Sequence, residues 1–229
     1  MAGTDKNRHI FPDPRKMGNE DITLVGGNLS SDLLLNAYQL GLFPWYNPGE
    51  PVLWWCPRER MVLKPADVHI SHSMRNVLNS DDFHLTADRD FEEIMVACAH
   101  IPRPGQDGTW ITDEIIDNYI KLHKLGYAHS IEVRDSDGEI VGGLYGVSIG
   151  KAFFGESMFS LVPNASKFAF IRLCQRLEEL DFTLVDCQVY TPHLETLGAK
   201  PVARDYFLDE LEKAIELPTI KGNWGMLFG

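Results

Sequence analysis

Residues 150–167 read GKAFFGESMFSLVPNASK. An aromatic run of strand character carries one carboxylate at its middle and then feeds a helix. Strict alternation places Phe154, Glu156 and Met158 on one face and Phe153, Gly155, Ser157 and Phe159 on the other. A charge thus falls in an apolar strip, where it needs an interior cation, a set of amide donors or a chemical task. Gly155, beside it, clears room for something to approach closely.

Working outward, the upstream segments SIEVR (130–134), DSDG (135–138) and EIVGGLYGVSIG (139–150) predict a hairpin, so that three antiparallel strands follow one another. Downstream, Asn164 or Ser166 caps a helix whose apolar face holds Phe170, Ile171, Cys174 and Leu177. TLVDCQV (183–189) reads as a buried strand. Period two puts Leu184, Asp186 and Gln188 on one face, with Asp186 and Gln188 about 6.5 to 7 Å apart. A second carboxylate therefore lies inside an apolar strand. TPHLETLG (191–198), PVARDYF (201–207) and DELEKAIEL (209–217) read as short helices and connections.

Toward the N-terminus, residues 1–27 mix Pro, Gly, Asn and charge and predict an extended lead-in. SSDLLLNAYQLG (30–41) is a short amphipathic helix with Leu34, Ala37 and Tyr38 on its apolar face and Gly41 at its end. GLFPWYNPGEPVLWWCP (41–57) holds three of the five tryptophans among four prolines. Trp54 and Trp55 sit in the strand-like VLWW and read as core, whereas Trp45 suits either a core or a platform for stacking a ring. The pattern changes near Lys64, which divides the chain into a small N-terminal unit, 1–63, and a larger unit, 64–229.

In the larger unit, residues 68–80 predict a strand end and a capped helix, 83–88 a strand, and 90–100 an amphipathic helix. PRPGQDGTW (102–110) is a Gly and Pro loop that delivers Trp110 to the start of a helix capped by Thr112 and ended by Gly126. Trp110 there either packs or meets a ligand. Arg60, Lys64, His69, His72 and Arg75 form a basic cluster, read as a solvated face or as one side of a phosphate site.

Composition narrows the classes. The 229 residues are 44% apolar, enough for a sizeable core, and the net charge of −12 argues against non-specific binding along a polyanion. Nucleic-acid contact must then be focused on a local patch. No apolar run has the length of a bilayer span, and the first residues lack the apolar stretch of a signal peptide, so a cytoplasmic, membrane-free protein is expected. Cys56, Cys98, Cys174 and Cys187 form no CxxC pair and make no metal-ligand spacing with the histidines; buried reduced thiols, no metal and no cofactor are expected.

Three strands, a helix, a strand and a helix is the order of an acetyltransferase-type (GNAT-type) N-acyltransferase core. The expected fold is α/β (α+β), with a mixed, largely antiparallel sheet preceded by the small N-terminal unit. Such folds seat the acyl donor where the strand before the helix and the strand after it part, here the strands of Glu156 and of Asp186 with Gln188. CoA-using members place a Gly-rich loop there to receive the pyrophosphate on backbone amides. The linker SLVPNAS lacks glycine, which points to another acyl carrier.

The strings LFPWYNPGEPVLWWCPRERMVL, GTWIT, LGYAHSIEV, VGGLYGV, FFGESMFS, NASK and VDCQV, in this order over residues 20–207, resemble the leucyl/phenylalanyl-tRNA protein transferase family. The resemblance implies an aminoacyltransferase that moves Leu or Phe from its charged tRNA to proteins whose N-terminal residue is Arg or Lys, marking them for degradation by the N-end rule pathway. It further implies that Trp45 and Trp110 stack on the terminal adenosine, that Leu144, Met158 and Leu173 line the pocket for the donor side chain, and that Glu156, Asp186 and Gln188 stand at the reacting centre. The tRNA body would meet Arg60, Lys64, His69, His72 and Arg75, and the protein is expected to act as a monomer.

The chemistry has its own logic. An α-amine of ordinary pKa near 7.7 to 8.0 attacks an ester carbonyl, so the site must orient the amine and remove a proton. Gln188 can align the amine but cannot act as a base. Asp186 can accept or relay the proton, and Glu156 can hold either the amine or the acceptor's cationic side chain. Two rivals are an acyltransferase acting on a small amine, and a module that only recognises basic N-termini or tRNA ends.

Overall fold

The computed structural model describes residues 11–101 and 109–228; residues 1–10 of the lead-in expected at 1–27 and most of the loop before Trp110 lie outside these residues, while the rest of that lead-in is more regular than expected, with a 3₁₀ turn at Pro14–Lys16 and a strand at Ile22–Val25. The N-terminal part builds a three-stranded antiparallel sheet from β1 (Ile22–Val25), β2 (Phe43–Pro44) and β3 (Leu53–Trp55), in the order β1-β3-β2, with helix α1 (Ser31–Gln39) between β1 and β2. Trp54 is fully buried and donates its indole N–H to the Gly26 carbonyl at 3.0 Å, while Trp55 is only half-buried.

The remaining strands are β4 (Glu59–Leu63), β5 (His84–Ala87), β6 (Ala128–Arg134), β7 (Ile140–Ile149), β8 (Ala152–Ser160), β9 (Leu184–Gln188) and β10 (Lys200–Ala203). They form one seven-stranded sheet in the order β10-β4-β9-β8-β7-β6-β5, antiparallel at every pairing except the parallel β8–β9 contact. The sheet is therefore mixed and largely antiparallel, as the sequence order predicts. Residues 59–63, expected in the N-terminal unit, instead pair with β9 and β10 inside this sheet. The reason is a partner far along the chain: Arg60 on β4 is held by Asp186 on β9.

Helices cover both faces. These are α2 (His72–Leu78), α3 (Phe91–His100), α4 (Asp113–Lys124), α5 (Ala165–Glu179), α6 (Pro192–Thr196) and α7 (Arg204–Ile215). The caps are local and legible: Ser71 Oγ accepts from Met74 N–H at 3.3 Å, Thr112 Oγ1 from Ile115 N–H at 3.3 Å, and Thr191 Oγ1 from Leu194 N–H at 3.2 Å. Helix α5 packs on β6, β7 and β8 over a core that includes Leu144, Phe153 and Leu173. On the opposite face α3 packs on β7, α4 on β6, and α1 on α4, around Tyr38, Tyr119 and Phe154. No described helix is long and apolar enough to cross a membrane. The C-terminal segment is fastened by Trp224, fully buried, which donates its backbone N–H to Asp88 Oδ2 at 2.7 Å and stacks on His129 at 3.8 Å.

Strict alternation fails at the middle of β8. Gly146 on β7 pairs with Gly155, but Tyr145 pairs with Ser157, so Glu156 is an extra residue on the bulged strand. Phe154 and Phe159 consequently share one core, and Phe153 and Met158 pack against the other. The bulge is what turns Glu156 out of the ladder. Gly146 makes room for it, since a Cβ there would collide with the Phe154 carbonyl oxygen and the Phe153 ring. Gly146→Ala is expected to destabilise the fold by about 1–3 kcal/mol, read as a lowered urea midpoint.

Candidate active site

Pairing between β8 and β9 stops at Phe154 and Asp186. Beyond that point β8 bulges and β9 ends at Gln188, whose φ of +63° is left-handed. The ends part, and a cavity of about 970 Å³ opens between them. Gly155, Glu156 and Met158 of β8 line it with Cys187, Gln188 and Val189. Leu144 from β7, Phe170 and Leu173 from α5, and Trp45 beside β2 complete its apolar walls with Trp110. Five residues expected at a donor site, Trp45, Trp110, Leu144, Met158 and Leu173, thus come to one cavity from five elements or segments of the chain. Trp45 keeps 38% of its surface exposed, held by the Trp55 indole N–H to its carbonyl at 2.7 Å, whereas Trp110 is buried at the entrance to α4.

Glu156 is the acid of this cavity. Its Oε1 accepts from Tyr38 Oη at 2.6 Å and from Gln188 Nε2 at 2.8 Å, and its Oε2 lies 3.3 Å from Tyr119 Oη. Tyr38 and Tyr119 are also hydrogen-bonded to each other. No cation pairs with Glu156 among the described residues. Burial pushes its carboxyl up from the ordinary value to about 7; the Tyr38 hydrogen bond pulls the other way and the Asp186 charge pushes upward again. The group is therefore poised to take or give a proton near neutrality.

That shift fixes a pH dependence of stability. Because the folded-state value lies above the unfolded one, the contribution of Glu156 is fully present below about pH 4.5 and is lost as pH rises through about 7. Relative to the wild type, Glu156→Gln should gain about 3 kcal/mol of stability between pH 4.5 and pH 8, since about 2.5 units of raised pKa are removed. Urea unfolding of both proteins at the two pH values checks the sign.

Asp186 does not reach the cavity. It is fully buried and bound bidentately by Arg60, with Nε to Oδ1 at 2.8 Å and Nη2 to Oδ2 at 2.6 Å. The guanidinium lies 4.6 Å from the Phe43 ring centroid and 4.5 Å from that of Phe207. Asp186 Oδ1 also accepts the backbone N–H of Gln188 at 2.9 Å, which pins the left-handed residue and aims its amide at Glu156. Asp186, expected at the reacting centre, is thus walled off from the cavity and meets it only through the backbone of Gln188. Arg60, expected on the tRNA body, is 0% exposed and committed to Asp186, so it offers no charge to a phosphate. Lys64, His69, His72 and Arg75 are exposed and none lines the large cavity.

Tyr38 and Tyr119 were absent from the expected site. Each reads in the sequence as one apolar-face residue of a helix; the signal lies in the hydroxyl, which must find a partner once the ring is buried. His193 of α6, half-buried at the cavity wall, also went unnoticed; burial and the neighbouring Lys167 lower its pKa.

The sheet's parallel strands β8 and β9 part around a carboxylate and an amide beside a largely apolar cavity, the arrangement expected of an acyltransferase core. The comparisons give the particular family: residues 62–212 match leucyl/phenylalanyl-tRNA protein transferase, and residues 27–58 match that family's N-terminal domain. Leucyl/phenylalanyl-tRNA–protein transferase of Syntrophus aciditrophicus is 52% identical over 94% of this chain and 90% of its own, and that of an Anaeromyxobacter species is 48% identical over 94% and 92%. Among solved structures, FemX superposes with a TM-score of 0.48 at 11% identity over 75% of this chain and 66% of its own. The chain belongs to the leucyl/phenylalanyl-tRNA protein transferase family and is an aminoacyltransferase.

Proposed function

We propose that the chain moves a leucyl or phenylalanyl group from its tRNA ester to the α-amine of proteins beginning with Arg or Lys, and that Glu156, not Asp186, meets that amine. One observation carries this reading: Glu156 and Gln188 are bonded to each other at the wall of a largely apolar cavity, while Asp186 is closed behind them with Arg60.

The acceptor arrives largely as an ammonium ion, given an ordinary pKa of about 7.7 to 8.0. The Glu156 carboxylate takes one proton from the nitrogen, and the freed lone pair attacks the ester carbonyl carbon. As the N–C bond forms and the C–O3′ bond breaks, a second N–H proton passes to the ribose oxygen. Gln188 turns its NH₂ to Glu156, leaving its carbonyl oxygen to accept from the amine. Holding donor and acceptor together supplies much of the acceleration. The acceptor's basic side chain is drawn by the net charge of −12.

Trp45 and Trp110 are the platforms for the terminal adenine, and Leu144, Met158 and Leu173 the seat of the donor side chain. Lys64, His69, His72 and Arg75 remain available to ribose-phosphate. Their segment adjoins the cavity wall through His69 N–H, which donates to the Leu197 carbonyl at 2.9 Å just beyond α6. We place the division between the two units at about residue 58, before β4. Trp45→Ala should weaken binding of the charged tRNA by about 5- to 150-fold, the loss of one base stack, in a filter-binding titration at fixed salt.

The direct test is transfer of radiolabelled Leu from charged tRNA to peptides starting with Arg, Lys, Asp or Ala. Label on the Arg and Lys peptides alone is expected. Absence of label on every peptide would remove the transferase assignment and leave a binding module.

A further inference from the structure

Tyr38 Oη, Tyr119 Oη and the two Glu156 carboxyl oxygens close a ring of three hydrogen bonds: Tyr38 to Oε1, Tyr119 to Tyr38, and the contact between Tyr119 and Oε2. Each bond needs one proton between its two oxygens, and the two phenols carry two. Tyr38 spends its proton on Oε1, so the bond between the phenols is donated by Tyr119. Nothing then remains to fill the Tyr119–Oε2 contact except a proton on Glu156 itself. With Glu156 ionised, Tyr119 must choose between Tyr38 and Oε2, and one pair of oxygens faces each other with no hydrogen between.

We infer that Tyr38 and Tyr119 are positioning residues that form a closed hydrogen-bond ring with Glu156, completed when Oε2 receives a proton from the acceptor ammonium. The inference rests on the proposed transfer reaction and deepens it. The step balances: one N–H bond breaks, one O–H bond forms on Oε2, and the Tyr119 hydroxyl turns from Oε2 to Tyr38 as Oε2–H donates to Tyr119. After the ester is consumed, Oε2 returns its proton to solvent and the Tyr119 hydroxyl turns back. Both phenols are fully buried, so the hydroxyls answer to each other and to Glu156. They also stay protonated throughout, because burial first, and the Glu156 charge next, raise both well above the ordinary tyrosine value. The titratable and charged groups facing Glu156 are Tyr38 from α1, Tyr119 from α4, Asp186 from β9 and Arg60 from β4, with Tyr46 next to Tyr119. Gln188 donates to Oε1 in either state and leaves the ring count unchanged.

The ring makes a demand of Tyr119 that simple donation to a carboxylate does not. Two hydroxyls that merely donate to a carboxylate stabilise its ionised form, and removing either would raise the Glu156 midpoint. In the ring, loss of the Tyr119 hydroxyl harms the protonated form more, because Oε2–H loses its acceptor, whereas Tyr38 still serves Oε1 in both states. Tyr119→Phe should therefore lower the Glu156 midpoint by about one pH unit.

The experiment follows the side-chain carboxyl carbon of Glu156 by NMR from pH 5 to 9 in substrate-free protein labelled at Glu, with the resonance assigned through Glu156→Gln. A downward shift in Tyr119→Phe is the expected result. An upward or null shift in Tyr119→Phe overturns the ring. Should Tyr119→Phe fail to fold, the wild-type ring carbons bearing the hydroxyls of Tyr38 and Tyr119 serve instead. Both must titrate at the Glu156 midpoint, and a Tyr38 carbon that does not move overturns the ring. The acidic limb of kcat/KM for an Arg peptide should move with each midpoint. A downward shift in Tyr119→Phe without any peptide labelling would sink the transferase reading and keep the ring, and labelling without that shift would do the reverse.

Discussion

Asp186→Ala is expected to destabilise the protein by about 3–5 kcal/mol, because it leaves the Arg60 guanidinium buried and unpaired. Arg60 and Asp186 are both fully buried, and among the described residues no other carboxylate is bonded to the guanidinium between the Phe43 and Phe207 rings. Urea unfolding at neutral pH reads the loss directly. A companion variant, Arg60→Met with Asp186→Leu, should recover most of the stability by replacing the ion pair with apolar groups of similar bulk. The same double variant should remain poor in transfer, since Gln188 loses the acceptor that pins its backbone. Full stability in Asp186→Ala would contradict the positioning role and return Asp186 to the cleft.

Glu156→Gln is expected to lower single-turnover transfer by about 10²- to 10⁴-fold, the range for removing a positioned general base. Size and hydrogen-bonding reach are kept, so binding of the charged tRNA should change by no more than a few-fold. The pH profile carries a second signature. Wild-type transfer should rise as Glu156 ionises through about pH 7, and that limb should vanish from whatever rate the variant retains. A variant with an unchanged rate would assign the proton to another group.

Much of the architecture was legible because its signals are local. The hairpin of β6 and β7 announces itself through DSDG, the cap of α4 through Thr112, and the β8–α5–β9 succession through its apolar runs. Those signals also located Glu156 and Gln188, each a polar residue in an apolar strand. Period-two reasoning broke at Glu156 because a bulge is set by the opposite strand, here at Gly146, and leaves no mark in β8 itself. In the sequence Asp186 reads as a reacting group because its partner stands 126 residues earlier, and Arg60 reads as a surface cation for the same reason. Strand β10 is four residues containing a proline, too short for a periodic signal, and it exists because β4 offers it an edge.

The central claim is that an aminoacyl ester lies in this cavity with its carbonyl at Glu156 and Gln188. The most direct measurement is a crystal structure with a leucyl-adenosine analogue whose 3′ ester is replaced by an amide. The account predicts adenine on Trp45 and Trp110, the leucyl side chain on Leu144, Met158 and Leu173, and the α-carbonyl close enough to Gln188 for a bound amine to bridge to Glu156. An analogue seated outside the cavity, or a carbonyl turned away from Glu156 and Gln188, would contradict it.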